Sequence, residues 1–373
     1  MNEGSLLLMS AAGITLACSA CAGQPAPEVD GERLGLTGHS MGGRLTVLSA
    51  IDPRVKAATP SVGGSGFLCD DLWGLPGSGR HMREDLDLYN RTIDCRAYWP
   101  SIACPILFLG ATNDFNSPLE LVVQGMSLLK HNESRLVLAP HLDHRFTSST
   151  FAARPLWFEA HLKGDFEFPK AAKAELALRQ PDHIPLLAVY PDATTPHRLV
   201  SVDIYYGYGR DPRNRFWRDG LAEQVDDHWE GRCPVMQLDE PLFAFANAAY
   251  ETHRAIPLPR GYGPACSRVT IASEYRIARP DDLRAARVRA TQQPQRLIDW
   301  DEITELGLTS AEKALEQDKS LLPWEGEVPQ FRDLRWVGGV YVPRTRPYLP
   351  EAGSREESEQ AGRKPARARS PQR

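Results

Sequence analysis

Residues 38–42 read Gly-His-Ser-Met-Gly, a G-x-S-x-G run of the kind that lifts a serine hydroxyl out of a strand-to-helix turn. Ser40 is therefore the candidate nucleophile. A serine hydroxyl attacks a carbonyl carbon only when a base takes its proton, and a histidine base needs a carboxylate to hold its tautomer and stabilise its charge. Both residue types follow downstream. Asp114 ends an apolar run, and His141 and His144 flank Leu142-Asp143 further on. One of these two histidines is expected to be the base. Asp143 reads as a second acid, but its adjacency to His144 makes a productive contact with that ring difficult. The chemistry this set supports is acyl transfer through a covalent serine intermediate, which requires proton transfers and no cofactor or metal.

The side chains converge only if strands and helices alternate between them. Arg33–Thr37 is a short apolar run suited to a buried strand, and Arg44–Ala50 is suited to a helix directly after the serine turn. Gly38 and Gly42 leave room where those two backbones meet, and Ser40 is expected to sit in a strained conformation. Val55–Pro60 reads as the next strand and 67–99 as a cap-like excursion. Pro105–Gly110 is a continuous apolar run, as a strand buried on both faces requires. Leu119–Lys130 reads as an amphipathic crossover helix and Ser134–Pro140 as the strand that precedes the two histidines, which keeps a βαβ rhythm.

These pieces resemble the α/β-hydrolase superfamily, and within it the acetyl-xylan-esterase-like and dienelactone-hydrolase-like branch. The resemblance is carried by Gly38-His39-Ser40-Met41-Gly42-Gly43, by Pro105 to Asp114, and by Pro140 to His144 with Leu156 to Gly164 behind it, and it spans roughly residues 27–165. It implies Ser40 as nucleophile, Asp114 as acid and His144 as base, with His141 as the runner-up for the base. The Met41 N–H is implied as an oxyanion donor, and a small-molecule ester, with acylated carbohydrates among the options, as the substrate. A peptidase of the same fold is the alternative within the class. The alternative outside it is a non-catalytic relic whose β-rich part binds carbohydrate or protein.

Members of that superfamily normally carry several strands before the nucleophile, and a loop after one of the earliest gives the second oxyanion N–H. Only 39 residues precede Ser40, room for one helix and one strand. The expectation is half a sheet, with an apolar edge left bare and a triad that is feeble or silent. Residues 5–22 admit two readings. One is a signal-peptide core, which would make the protein exported; the other is the helix that precedes the nucleophile strand, in a cytoplasmic protein. Neither is long enough for a transmembrane span.

The fold class expected is α/β, the C-terminal half of a parallel hydrolase sheet (1–168) followed by a β-rich, sandwich-like domain (169–280). An uncertain mixed region (281–350) and a disordered basic tail (351–373) follow. The β-rich runs are 184–190, 199–206, 241–250 and 268–277, separated by Pro, Gly and Asp. The aromatics of Val202–Tyr208 are candidates for a sugar-binding face and, more simply, for core. Arg215–Asp219 and His228-Trp229 read as an aromatic-rich connection. Residues 282–289 and 310–317 read as helices and 336–342 as a strand. The net charge of −5 gives no electrostatic case for nucleic-acid binding. Seven cysteines are an odd number without the density of a disulfide scaffold; Cys95 with Cys104, or Cys233 with Cys266, could pair in an exported protein, and the sequence alone does not decide. His39, His161, His183, His197 and His253 have ordinary structural readings, as do Asp52, Asp70-Asp71 and the Gly63–Gly66 loop.

Overall fold

The computed structural model describes residues 30–65, 86–114, 116–142, 144–145, 147–210, 212, 215–258 and 265–291, and the backbone of strands at 8–10, 13–14, 334–337 and 340–343. Four parallel neighbours form the centre of a six-stranded sheet: β3 (Leu34–His39), β4 (Val55–Ser61), β5 (Ile106–Ala111) and β6 (Ser134–Ala139). Helix α1 (Met41–Ser49) connects β3 to β4, and α3 (Leu119–Met126) connects β5 to β6. Between β4 and β5 lie α2 (Leu86–Thr92) and two short 3-10 turns. Helix α4 (Ser148–Phe158) follows β6, opened by Thr147, whose side chain accepts the Thr150 N–H at 3.1 Å.

Every residue of β5 is buried, because helices cover both faces of the sheet. The strand period of two sends Phe108, Leu136 and Leu138 towards Val47, Trp99 and Val122. It sends Leu107, Leu109 and Val137 towards Ala152, Leu156 and Trp157 of α4.

Two antiparallel sheets make up the β-rich part. One has the order β10 (Phe216–Asp219), β9 (Leu199–Tyr208), β13 (Leu242–Pro257), β14 (Ala265–Ala272), with β15 (Arg276–Ala278) also paired to β13. The other has the order β11 (Glu223–Val225), β12 (His228–Arg232), β8 (Leu186–Tyr190), β7 (Lys173–Ala177). Leu187, Val189, Val202, Ile204, Val269 and Ile271 share one core with Trp157 and Phe158 of α4. Strand β14 lies against both α4 and β6. Asn247 of β13 donates its side-chain N–H to the Leu138 carbonyl at 3.1 Å, so the outer side of β6 is not left as an open edge.

Several expectations change. The region before Ser40 was expected to give one helix and one strand, with the outer edge of the nucleophile strand bare. Instead β1 (Leu8–Ser10) pairs parallel with β3, and β2 (Gly13–Ile14) pairs antiparallel with β1. The reason is edge chemistry: β3 offers a row of N–H and C=O groups on its free side, and a short strand satisfies them where a helix cannot. Residues 15–22 lie outside the described residues. Arg215–Asp219 and His228-Trp229 are not connections, since Phe216–Asp219 pairs with β9 and His228–Arg232 with β8. The aromatic side chains that suggested packing are the strand residues that do it. Cys95, Cys104, Cys233 and Cys266 are free thiols, so neither of the two pairings left open by the sequence is present. Burial pushes Cys95, Cys104 and Cys233 up to about 12, so at neutral pH they are inert thiols.

The helix expected at 282–289 is α5 (Pro280–Ala285), and the strand at 336–342 is a pair, β16 (Leu334–Val337) and β17 (Val340–Pro343), joined antiparallel. The helix expected at 310–317, the tail 351–373 and most of the 67–99 excursion lie outside the described residues. Among the described residues, no helix is long and apolar enough to cross a membrane.

Candidate functional site

At the end of β3 the chain turns through Ser40 at φ 60° and ψ −117°, a conformation costly for any residue with a side chain, and enters α1 at Met41. Two contacts fix the turn. The Ser40 N–H donates to the Ser61 carbonyl at 2.9 Å, and the Ser40 carbonyl accepts the Arg44 N–H at 3.2 Å as the first bond of the helix. The strand and helix come so close that a Cβ on Gly38 would stand 2.2 Å from the Gly42 carbonyl oxygen. A Cβ on Gly63 would stand 2.0 Å from the Ser40 carbonyl oxygen. Both glycines are required by this approach, not by their φ angles. Met41 is the first residue of α1, and the N–H groups of a helix's first turn have no intrahelical acceptor.

The hydroxyl so presented meets His144. Ser40 Oγ lies 2.7 Å from His144 Nε2, and His144 Nδ1 lies 3.2 Å from each carboxylate oxygen of Asp114. With Nδ1–H donating to Asp114, Nε2 is left to accept the serine proton. Asp114 is fully buried, and its Oδ1 also accepts the N–H groups of Asn116 at 2.7 Å and Ser117 at 3.0 Å. Burial raises its pKa; the bond to His144 and those two N–H groups pull the other way. His144 keeps a fifth of its side chain exposed, whereas the Asp114 side chain has no exposure.

His39, beside the serine, stacks obliquely on His144 with ring centroids 5.1 Å apart. Partial burial, reinforced by His144 and Arg154, pulls it down to about 4, so it brings no positive charge to the site at neutral pH. His141 is brought near the acid turn but not to the serine. Its ring is buried and donates Nε2–H to the Trp217 carbonyl at 2.8 Å, and burial lowers its pKa to about 4. The geometry thus gathers Ser40, His144 and Asp114 and leaves His141 outside them. Asp143 lies outside the described residues.

The structure also ties the site to residues that had no functional reading in the sequence. Thr112, Asn113 and Glu120 flank the acid, and through them the acid turn contacts Pro212, Arg215 and Tyr275 of the β-rich part. Nothing in their local spacing signals this, because the partners stand about a hundred residues away. Among the described residues, no group of three or more His, Cys, Asp or Glu is arranged to hold a metal ion.

Strand, serine turn and helix follow the α/β-hydrolase pattern. No protein-family model matches the chain, and no curated protein does. Solved structures match it in part. Acetyl xylan esterase 1 from Thermoanaerobacterium is 19% identical over 35% of this chain and 46% of its own, with a TM-score of 0.29. An acylaminoacyl peptidase from Pyrococcus horikoshii is 23% identical over 37% and 25%, with a TM-score of 0.29. Est1E from Butyrivibrio proteoclasticus, solved with ferulic acid bound, is 22% identical over 32% and 53%, with a TM-score of 0.25. The chain therefore spans between a quarter and about half of the length of these structures.

Proposed function

We propose that this chain is a serine hydrolase that cleaves small-molecule carboxylic esters through an acyl-enzyme. What carries the reading is the 2.7 Å separation between Ser40 Oγ and His144 Nε2, at a serine whose backbone is strained to present that hydroxyl. Ser40 Oγ forms a bond to the ester carbonyl carbon as its proton passes to His144 Nε2, and the carbonyl π electrons move onto oxygen beside the Met41 N–H. Collapse of this intermediate breaks the bond to the alkoxide, which leaves with the proton held by His144. Water then repeats the sequence: His144 takes its proton, the oxygen attacks the acyl carbon, and Ser40 recovers its hydroxyl with release of the acid. Asp114 holds Nδ1–H throughout and stabilises the transient imidazolium.

The test is covalent labelling. A fluorophosphonate probe is expected to label the folded protein at Ser40 and to leave Ser40→Ala unlabelled, and a short-chain nitrophenyl ester is expected to be hydrolysed by the first and not the second. An alanine at this position should lower kcat by roughly 10⁴–10⁶, towards background. Acetylated sugars and an acyl-amino-acid anilide in the same assay separate the carbohydrate-ester and peptidase variants of the reading. Folded protein that takes no label from the probe would sink it in favour of a non-catalytic role.

A further inference from the structure

We propose that the backbone carbonyls of Pro212, Arg215 and Trp217 in the β-rich part position the acid and base turns, acting through Asn113 and His141. The proposal rests on the Ser40–His144–Asp114 reading above and deepens it.

The acid and base turns are first laced to each other. The Thr112 N–H donates to the Ala139 carbonyl at 3.0 Å and the Asn113 N–H to the Leu142 carbonyl at 2.9 Å. The His141 N–H donates to Thr112 Oγ1 at 2.8 Å. A shift of one turn therefore moves the other. The laced pair is then fixed from outside: Asn116 and Ser117 tie the acid turn to Val62 and Ser65, and the outward bonds of Asn113 and His141 go to the carbonyls of Pro212, Arg215 and Trp217. Asn113, the residue before the acid, donates its side-chain N–H groups to the Pro212 carbonyl at 3.2 Å and the Arg215 carbonyl at 2.7 Å. His141, three residues before the base, donates Nε2–H to the Trp217 carbonyl at 2.8 Å and packs edge-on to Phe216 at 4.8 Å between ring centroids.

Two features argue that these bonds set position and are not incidental satisfaction of buried groups. His141 is held at φ 57°, a conformation that a residue with a side chain adopts at a cost and keeps only where its surroundings over-determine it. Asn113 and His141 are both buried side chains whose alternatives to these carbonyls would be unsatisfied polar groups, so each bond is strongly enforced. A triad demands tolerance of this order, since a misplacement of about 1 Å at the reacting groups costs roughly 10²-fold in rate.

The test uses the full chain, with His141→Phe, His141→Gln and Asn113→Ala. Phe keeps much of the ring volume without the donor, whereas Gln restores a donor towards the Trp217 carbonyl. The primary readout is the downfield proton resonance of the His144 Nδ1–H held by Asp114, which needs no turnover. It is expected in the parent, lost or moved upfield in His141→Phe and Asn113→Ala, and returned in His141→Gln. Fluorophosphonate labelling and kcat should fall about 10-fold or more in the first two variants with KM changed less than threefold. His141→Gln should recover most of that loss. If His141→Phe fails to fold, Asn113→Ala carries the same comparison. A parent-like resonance and labelling rate in a folded His141→Phe or Asn113→Ala would overturn the proposal while leaving the triad intact. A parent in which the resonance is present and sensitive to these variants but Ser40 takes no label would overturn the hydrolase reading and leave the positioning role standing.

Discussion

In the proposed triad, Asp114 is where stability and chemistry pull in opposite directions. Its carboxylate is sealed from water, and burial raises its pKa against the pull of His144, Asn116 and Ser117. A carboxyl whose pKa is higher folded than unfolded favours the native state below the unfolded value, near 3.9, and loses that contribution as pH rises through the folded value. At neutral pH the ionised group is thus a net cost, which the proposed role of orienting His144 would account for. Asp114→Asn is expected to melt at a higher temperature than the parent at pH 8, with the difference vanishing towards pH 4, while kcat drops by about 10⁴ because the imidazole loses its required tautomer. Thermal scans at the two pH values with an ester assay check both halves; a variant that melts lower at pH 8 would mean that the His144 contact outweighs desolvation. At the same scale, the G-x-S-x-G run was legible because its glycines answer a local steric demand, seen in the 2.2 Å approach at Gly38. Local spacing did not separate His141 from His144, which only the family resemblance ranked, since what divides them is a hydrogen bond to the carbonyl of Trp217, 76 positions away.

Between elements, the tie that matters most is an ion pair buried on both sides. Glu120, in the first turn of α3, accepts from Arg215 at the entry to β10, and Tyr275 OH donates to the same carboxylate oxygen at 3.2 Å. The guanidinium stacks over Phe243 with its central carbon 3.4 Å from the ring centroid. Side-chain exposures of 0% and 1% mean that neither charge has water to fall back on. Removing one partner strands the other, at a cost of about 3–5 kcal/mol, whereas removing both for apolar groups of similar volume is near neutral. Arg215→Met is therefore expected to lower the urea midpoint sharply, and Arg215→Met with Glu120→Met to recover most of the loss; a double variant no better than the single would show that Arg215 acts through its stacking on Phe243 instead. The parallel strands β3 to β6 were readable as elements because they are mostly buried, β5 running apolar without interruption and the others carrying short apolar runs. Strand β10 was not, because a strand containing Arg215 at its entry and Arg218 within it looks polar until the buried carboxylate and the aromatic rings that receive those cations are in place. Strand β1 escaped for another reason: what defines it is the vacant edge of β3, a property of the partner and not of residues 8–10.

For the whole molecule, the change of rhythm after Gly164 was legible, but the continuity of the core across it was not. Helix α4 packs on β14, and its Leu156, Trp157 and Phe158 share a cluster with Val202, Ile204, Val269 and Ile271. Fully burying a large apolar side chain contributes about 1.5–3 kcal/mol, so roughly 5–9 kcal/mol is the upper bound on what uncovering these three would forfeit, since they also pack on the parallel sheet. That is comparable with the whole net stability of an ordinary domain, about 5–15 kcal/mol, before the loss of the Asn113, His141 and Glu120 ties is considered. Residues 1–168 expressed alone are accordingly expected to be insoluble or to show no cooperative melt, with no fluorophosphonate labelling at Ser40, although all three proposed catalytic side chains are present in that fragment. Size-exclusion chromatography with a thermal scan decides the matter. A monomeric fragment that melts cooperatively and labels at the parent rate would show that the β-rich part is an appendage and that the parallel sheet alone suffices to hold His144 against Ser40.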